Sequence, residues 1–249
     1  MTSRILLIPL SWLSLSLLAQ EALPKTAETF DVGGHKAFLS AAPMPAEGKP
    51  WLWYAPTLKS LAFGERKGYF ETFAKAGISI AGYDIGEVRG SPTSTAKFTL
   101  FYDEMVKRGY SPKPILLGQS RGGLRSSYLA ALDDRIKATI VSSWMCSFPN
   151  QIAAHIRGIG FTEIIPGMYH HMDHPDIASL AMPKPLMVIN GSQDRLFELA
   201  GVHASHEKLA KCYAKAGVPE HFKSIIEDAP HQFNAERQAD AWAWFEKWV

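Results

Sequence analysis

Three residues of this chain have the types and surroundings for acyl transfer: Ser120, Asp194 and His231. Ser120 sits in Gly118-Gln119-Ser120-Arg121-Gly122, directly after the apolar run Ile115-Leu116-Leu117. A strand that breaks sharply into a helix at Gly-x-Ser-x-Gly lifts the serine hydroxyl clear of the sheet, and only glycine fits beside so tight a turn. A serine hydroxyl is a poor nucleophile without a base. Downstream, Leu186 to Asn190 reads as a strand that ends in Gly191-Ser192-Gln193-Asp194, placing a carboxylate in the following loop. Ile225 to Asp228, then Ala229-Pro230-His231, repeats the pattern with an imidazole. In the order Ser, acid, His, the histidine takes the serine proton and the aspartate fixes its tautomer. Glu227 and Asp228 are competing acids and read as caps of the turn. The plain alternative is a glycine-rich turn that happens to contain a serine.

A developing oxyanion needs two donors. The backbone N–H of Arg121 is one, and the loop after Trp51–Ala55 should give the second. Pro56 has no N–H, so Thr57 is the candidate, with Leu58 behind it. The Arg121 side chain is open to two readings, an anchor for an acidic substrate group or a tie to a neighbouring loop. Trp53, Tyr54, Trp144 and Tyr169 are aromatic residues that could line an acyl or sugar pocket, and core packing competes for each. His170, His171 and His174 invite a metal reading, but they lie in a loop between Pro166 and Pro175 without a general-base signature, so pocket lining or local hydrogen bonding is preferred. No metal and no cofactor is expected.

Elements of α/β rhythm must hold these residues. Strands are expected at Ala37–Ala41, Trp51–Ala55, Ile78–Tyr83, Ile115–Gly118, Ala138–Ser143, Leu186–Asn190 and Ser224–Glu227, the first pairing antiparallel with its neighbour. Helices are expected at Tyr69–Ala76, Ser91–Arg108, Gly122–Leu132, Leu199–Ala216 and Glu236–Trp248. Such alternation implies a mostly parallel central sheet with helices on both faces and ligands at the carboxyl ends of the strands. Ser147–Ser179 breaks the rhythm just before the acid-bearing strand and reads as a small insert (147–179), a candidate cap over the site.

The 249 residues carry a formal charge of +2, with 47% hydrophobic and 20% charged residues. That balance argues against nucleic acid as a partner and fits a globular enzyme or binding domain. Arg4 followed by the apolar and hydroxyl run Ile5–Ala19 reads as a signal peptide over residues 1–20, leaving one domain over 21–249. A secreted or periplasmic protein without a stable membrane anchor is expected, with an N-terminal anchor helix as the competing reading. The two cysteines, Cys146 and Cys212, are compatible with one disulfide or with two buried thiols.

Gly118 to Gly123, Gly191 to Asp194 and Pro230-His231 together resemble the α/β-hydrolase superfamily. Within it, the chain is similar to exported bacterial hydrolases related to the dienelactone hydrolase and acetyl xylan esterase branches. Pro50 to Trp53, Tyr83 to Gly86, Gly90 to Pro92 and Asp134 to Lys137 extend the likeness, which runs from Gly48 to Val249. Ala55-Pro56 departs from the His-Gly pair that often precedes the second oxyanion donor. The resemblance implies ester hydrolysis and names no substrate; the reading taken here is cleavage of a small-molecule or carbohydrate ester, with an acylated plant carbohydrate as the preferred class, through an acyl-enzyme on Ser120. A peptidase or thioesterase could use the same three residues. A non-catalytic binding module on this fold is the rival from another class.

Overall fold

The computed structural model describes residues 26–54, 63–86, 91–154 and 165–248. The expected signal segment at 1–20 and the second oxyanion candidate Thr57 lie outside the described residues. Among the described residues no helix is long and apolar enough to cross a membrane.

Eight strands form one sheet: β1 Glu28–Val32, β2 His35–Ser40, β3 Trp51–Tyr54, β4 Ser79–Asp84, β5 Ile115–Gln119, β6 Ala138–Ser142, β7 Leu186–Gly191 and β8 Phe222–Glu227. Their order is β1-β2-β4-β3-β5-β6-β7-β8. β2 runs antiparallel to both β1 and β4, and every pair from β4 to β8 is parallel. The antiparallel expectation for the Ala37 strand holds, but its partners are β1 and β4, not the next strand along the chain. β1 escaped the sequence reading because it is an edge strand with one buried residue, Val32, and lacks the apolar signal of a central strand.

The central strands are apolar on both sides, as a sheet covered on both faces requires. On one face α1 (Phe63–Lys75) and α7 (Ala235–Phe245) pack Phe70, Phe73, Ala241, Trp244 and Phe245 against Leu52, Leu117, Ile140 and Ile189. On the other, α2 (Pro92–Lys107) brings Phe101 and Met105 onto Trp51 and Trp53, while α3 (Arg121–Leu132) and α6 (Leu199–Lys215) cover Val141 and Val188. Ser91 caps α2 by accepting from the Ser94 N–H, and Pro92 opens its first turn.

The insert between β6 and β7 contains α4 (Phe148–Ala154), a 3-10 turn at Met168–His170 and α5 (His174–Ser179). Asp173 organises it. Its carboxylate accepts from Ser147 Oγ at 2.5 Å and from the Phe148 N–H at 2.7 Å, and it forms a capping box with Asp176. Asp176 in turn meets Lys208 of α6 at 2.5 Å, which ties α5 to the body of the domain.

Candidate active site

The turn at Ser120 is tight. Ser120 has φ 55° and ψ −126°, a conformation that costs a non-glycine residue on the order of 1–3 kcal/mol and persists only where surrounding structure enforces it. β5 and α3 supply that enforcement. A Cβ on Gly118 would lie 2.1 Å from the Gly122 carbonyl oxygen and 2.5 Å from Ser126 Oγ. Gly123 presses against Trp144, with 3.0 Å for a Cβ there. Serine at a helix N-cap normally turns its hydroxyl onto the helix. Here the Ser120 side chain makes no capping bond, so its hydroxyl is not committed to α3. Arg121 is the first residue of α3, where a backbone N–H has no intrahelical acceptor and the helix dipole favours negative charge.

Asp194 lies just beyond β7 and His231 four residues beyond β8. The structure brings them together: His231 Nδ1 is 2.5 Å from Asp194 Oδ2. The aspartate side chain is fully buried, and its other oxygen accepts from the Leu196 N–H at 3.0 Å. A carboxylate only accepts, so Nδ1 carries the proton and Nε2 is left as the basic nitrogen. His231 keeps 26% of its side chain exposed, and one ring face lies along Phe197 at 6.1 Å between centroids. The competing acids are engaged elsewhere. Asp228 accepts from Gln193 Nε2 at 2.6 Å, while Glu227 pairs with Arg237.

The pocket aromatics need correction. Trp53 is 7% exposed and enclosed by Trp51, Phe98 and Phe101 on the α2 face, so its ring belongs to the core. Tyr54 is buried in the opposite cluster, and Trp144 is buried against Phe197 and His174. Each lies on a strand or strand end that is covered on its own side, and alternation sends its side chain into that layer. Tyr169 alone is half-buried, stacked on Phe148 with its hydroxyl 3.2 Å from His174 Nε2. His174 is enclosed between Tyr169 and Tyr128, whose hydroxyl is 3.2 Å from Nδ1. Burial pushes the Tyr169 phenol far above its usual range. Among the described residues no group of three or more His, Cys, Asp or Glu could hold a metal ion. Cys146 and Cys212 are free thiols, and burial pushes Cys146 up to about 12.

Two residues that touch the histidine loop escaped the sequence reading. Ser143, directly after β6, shares with Lys49 and Ser120 a positive φ, at 53°, and its hydroxyl donates to the Gln232 carbonyl at 3.1 Å. Arg237, at 1% exposure, lies on α7 beneath the histidine loop. Nothing in the local pattern of α7 marks Arg237, because helical arginines usually face solvent.

No known family profile matches the chain. YtaP of Bacillus subtilis (strain 168), provisionally named a hydrolase, is 29% identical over 140 residues, 53% of this chain and 45% of its own length. The match therefore spans less than half of that relative. An esterase from Pyrococcus furiosus superposes with a TM-score of 0.66 at 13% identity, covering 92% of both chains. A glucuronoyl esterase from Solibacter usitatus superposes with a TM-score of 0.65 at 12% identity, covering 90% of this chain and 86% of that one. At such identities the likeness speaks for the fold alone. The strand order, the elbow at Ser120 and these superpositions lead to one conclusion: the chain has the α/β-hydrolase fold.

Proposed function

We propose that the protein is a serine hydrolase that cleaves carboxylic esters through a covalent acyl-enzyme on Ser120. One observation carries the reading. A serine held at φ 55° with an uncapped hydroxyl shares the carboxyl edge of the sheet with a histidine whose Nδ1 is bonded to a buried aspartate. A binding module has no use for that combination of backbone strain and buried charge.

In the proposed reaction Ser120 Oγ attacks the ester carbonyl while His231 Nε2 takes its proton, and Asp194 stabilises the imidazolium. The negative oxygen of the tetrahedral intermediate settles at the N-terminus of α3 on the Arg121 N–H, with Thr57 the candidate for a second donor. His231 then protonates the departing alcohol. Water repeats the sequence and frees the acid. Two glucuronoyl esterases among the structural relatives, one of them named a carbohydrate esterase, support testing carbohydrate esters first.

A fluorophosphonate probe tests the mechanism, and short p-nitrophenyl esters, acetylated xylan and feruloyl esters test the substrate. Labelling of the wild type and none of Ser120→Ala is the expected result. Absence of wild-type labelling, or equal labelling of the variant, sinks the reading. Turnover of an aminoacyl amide with no ester turnover would move it to a peptidase.

A further inference from the structure

The guanidinium of Arg237 is buried in the polar layer between α7 and the carboxyl end of the sheet. Nη1 donates to the Gln232 carbonyl and, at 3.1 Å, to Ser143 Oγ; Nη2 donates to the Pro230 carbonyl at 3.4 Å; Nε faces Glu227 Oε1. Pro230 and Gln232 are the two neighbours of His231. One rigid, planar cation thus holds the backbone on both sides of the histidine.

We propose that Arg237 is the positioning residue for His231, fixing the height and direction of the imidazole relative to Ser120. This rests on the serine hydrolase reading above. A buried cation is costly unless it is paired and hydrogen-bonded, and Glu227 at the end of β8 supplies the pair. Nη1 and Nη2 also donate to the loop that carries the base. The linkage continues to the nucleophile. Ser143 Oγ donates to the same Gln232 carbonyl, Ser143 N–H donates to Ile189 O at 2.7 Å, and the Ser142 carbonyl accepts the Ser120 N–H at 2.9 Å. The base loop and the nucleophile turn are therefore tied to adjacent residues at the end of β6. A hydrophobic residue at position 237 would anchor α7 to the sheet equally well, and it would take the guanidinium donor from both loop carbonyls, leaving Gln232 O with Ser143 Oγ. Lysine could keep the charge but not the fork: an ammonium cannot reach Glu227, Pro230, Gln232 and Ser143 in one plane.

The test compares full-length wild type with Arg237→Lys and Ser143→Gly, using near-UV circular dichroism to establish folding. Glycine tolerates the positive φ at 143 and removes the hydroxymethyl group that makes the hydrogen bond. For folded Arg237→Lys we expect fluorophosphonate labelling of Ser120 to slow on the order of 10- to 100-fold. On an ester substrate, kcat should fall with KM unchanged. Ser143→Gly should slow labelling several-fold with the same split. A role confined to stability leaves both rates within twofold of wild type once folding is matched, and that result overturns the proposal. Should Arg237→Lys not fold, Ser143→Gly decides alone by the same criterion. An unlabelled wild type overturns the hydrolase reading and this proposal with it; a labelled wild type with unaffected variants overturns only the proposal.

Discussion

Gly191 stands so close to Ala229 that a Cβ on it would meet the Ala229 carbonyl oxygen at 2.1 Å and that of Pro230 at 2.7 Å. The loop bearing the acid and the loop bearing the base cross at this point. Around it, Ser192 N–H donates to Glu227 O at 2.8 Å and Gln193 N–H to Ala229 O at 3.1 Å. The contact between Asp194 and His231 depends on this close approach. Gly191→Ala should push the loops apart, lower kcat by about tenfold or more and cost roughly 1–3 kcal/mol of stability. Urea unfolding together with ester kinetics checks both; an unchanged kcat would show that the crossing does not set the dyad.

Ser120 holds its conformation against the preference of any residue with a side chain. Ser120→Gly should therefore abolish activity while raising stability by about 1 kcal/mol, seen as a higher Tm. A lower Tm would mean that the turn is not strained.

In the proposed reaction Asp194 would select the tautomer of His231 through its 2.5 Å contact. Asparagine can keep the shape but can present an N–H to the ring, which favours the wrong tautomer. Asp194→Asn should lower kcat by up to about 10⁴-fold with little change in KM. Steady-state kinetics alone decides it.

His206 is buried between Asn190, at 2.9 Å from Nε2, and Ser224, at 2.7 Å from Nδ1. Burial, with a lesser contribution from His203, lowers its pKa from 6.5 to about 4. The unfolded chain then takes up a proton between those values that the native state refuses. Stability is full above pH 6.5, falls as the pH drops toward 4 and levels off below, a loss of roughly 3 kcal/mol from this group. His206→Gln should flatten that part of the urea midpoint against pH curve; an unchanged slope would place the loss elsewhere.

The sequence by itself determined the sheet-and-helix rhythm, the sharp turn at Ser120 and the placing of Asp194 and His231 in loops that follow two strands. These are local signals: a buried strand, a glycine too crowded to be anything else, a loop at a strand end. Helix limits such as Pro92–Lys107 were close for the same reason, since Ser91 and Pro92 act within one turn. Only the tertiary structure decided which residues support the site. Trp53 and Trp144 carry aromatic rings that suit a pocket or a core equally, and the layer covering each strand settles the matter. Arg237 and Ser143 lie 94 residues apart and meet at one carbonyl, Gln232. No periodicity along α7 reports such a meeting, because the guanidinium's partners come from β8, the histidine loop and the end of β6. They adjoin only once the parallel sheet has closed and α7 has packed beneath it.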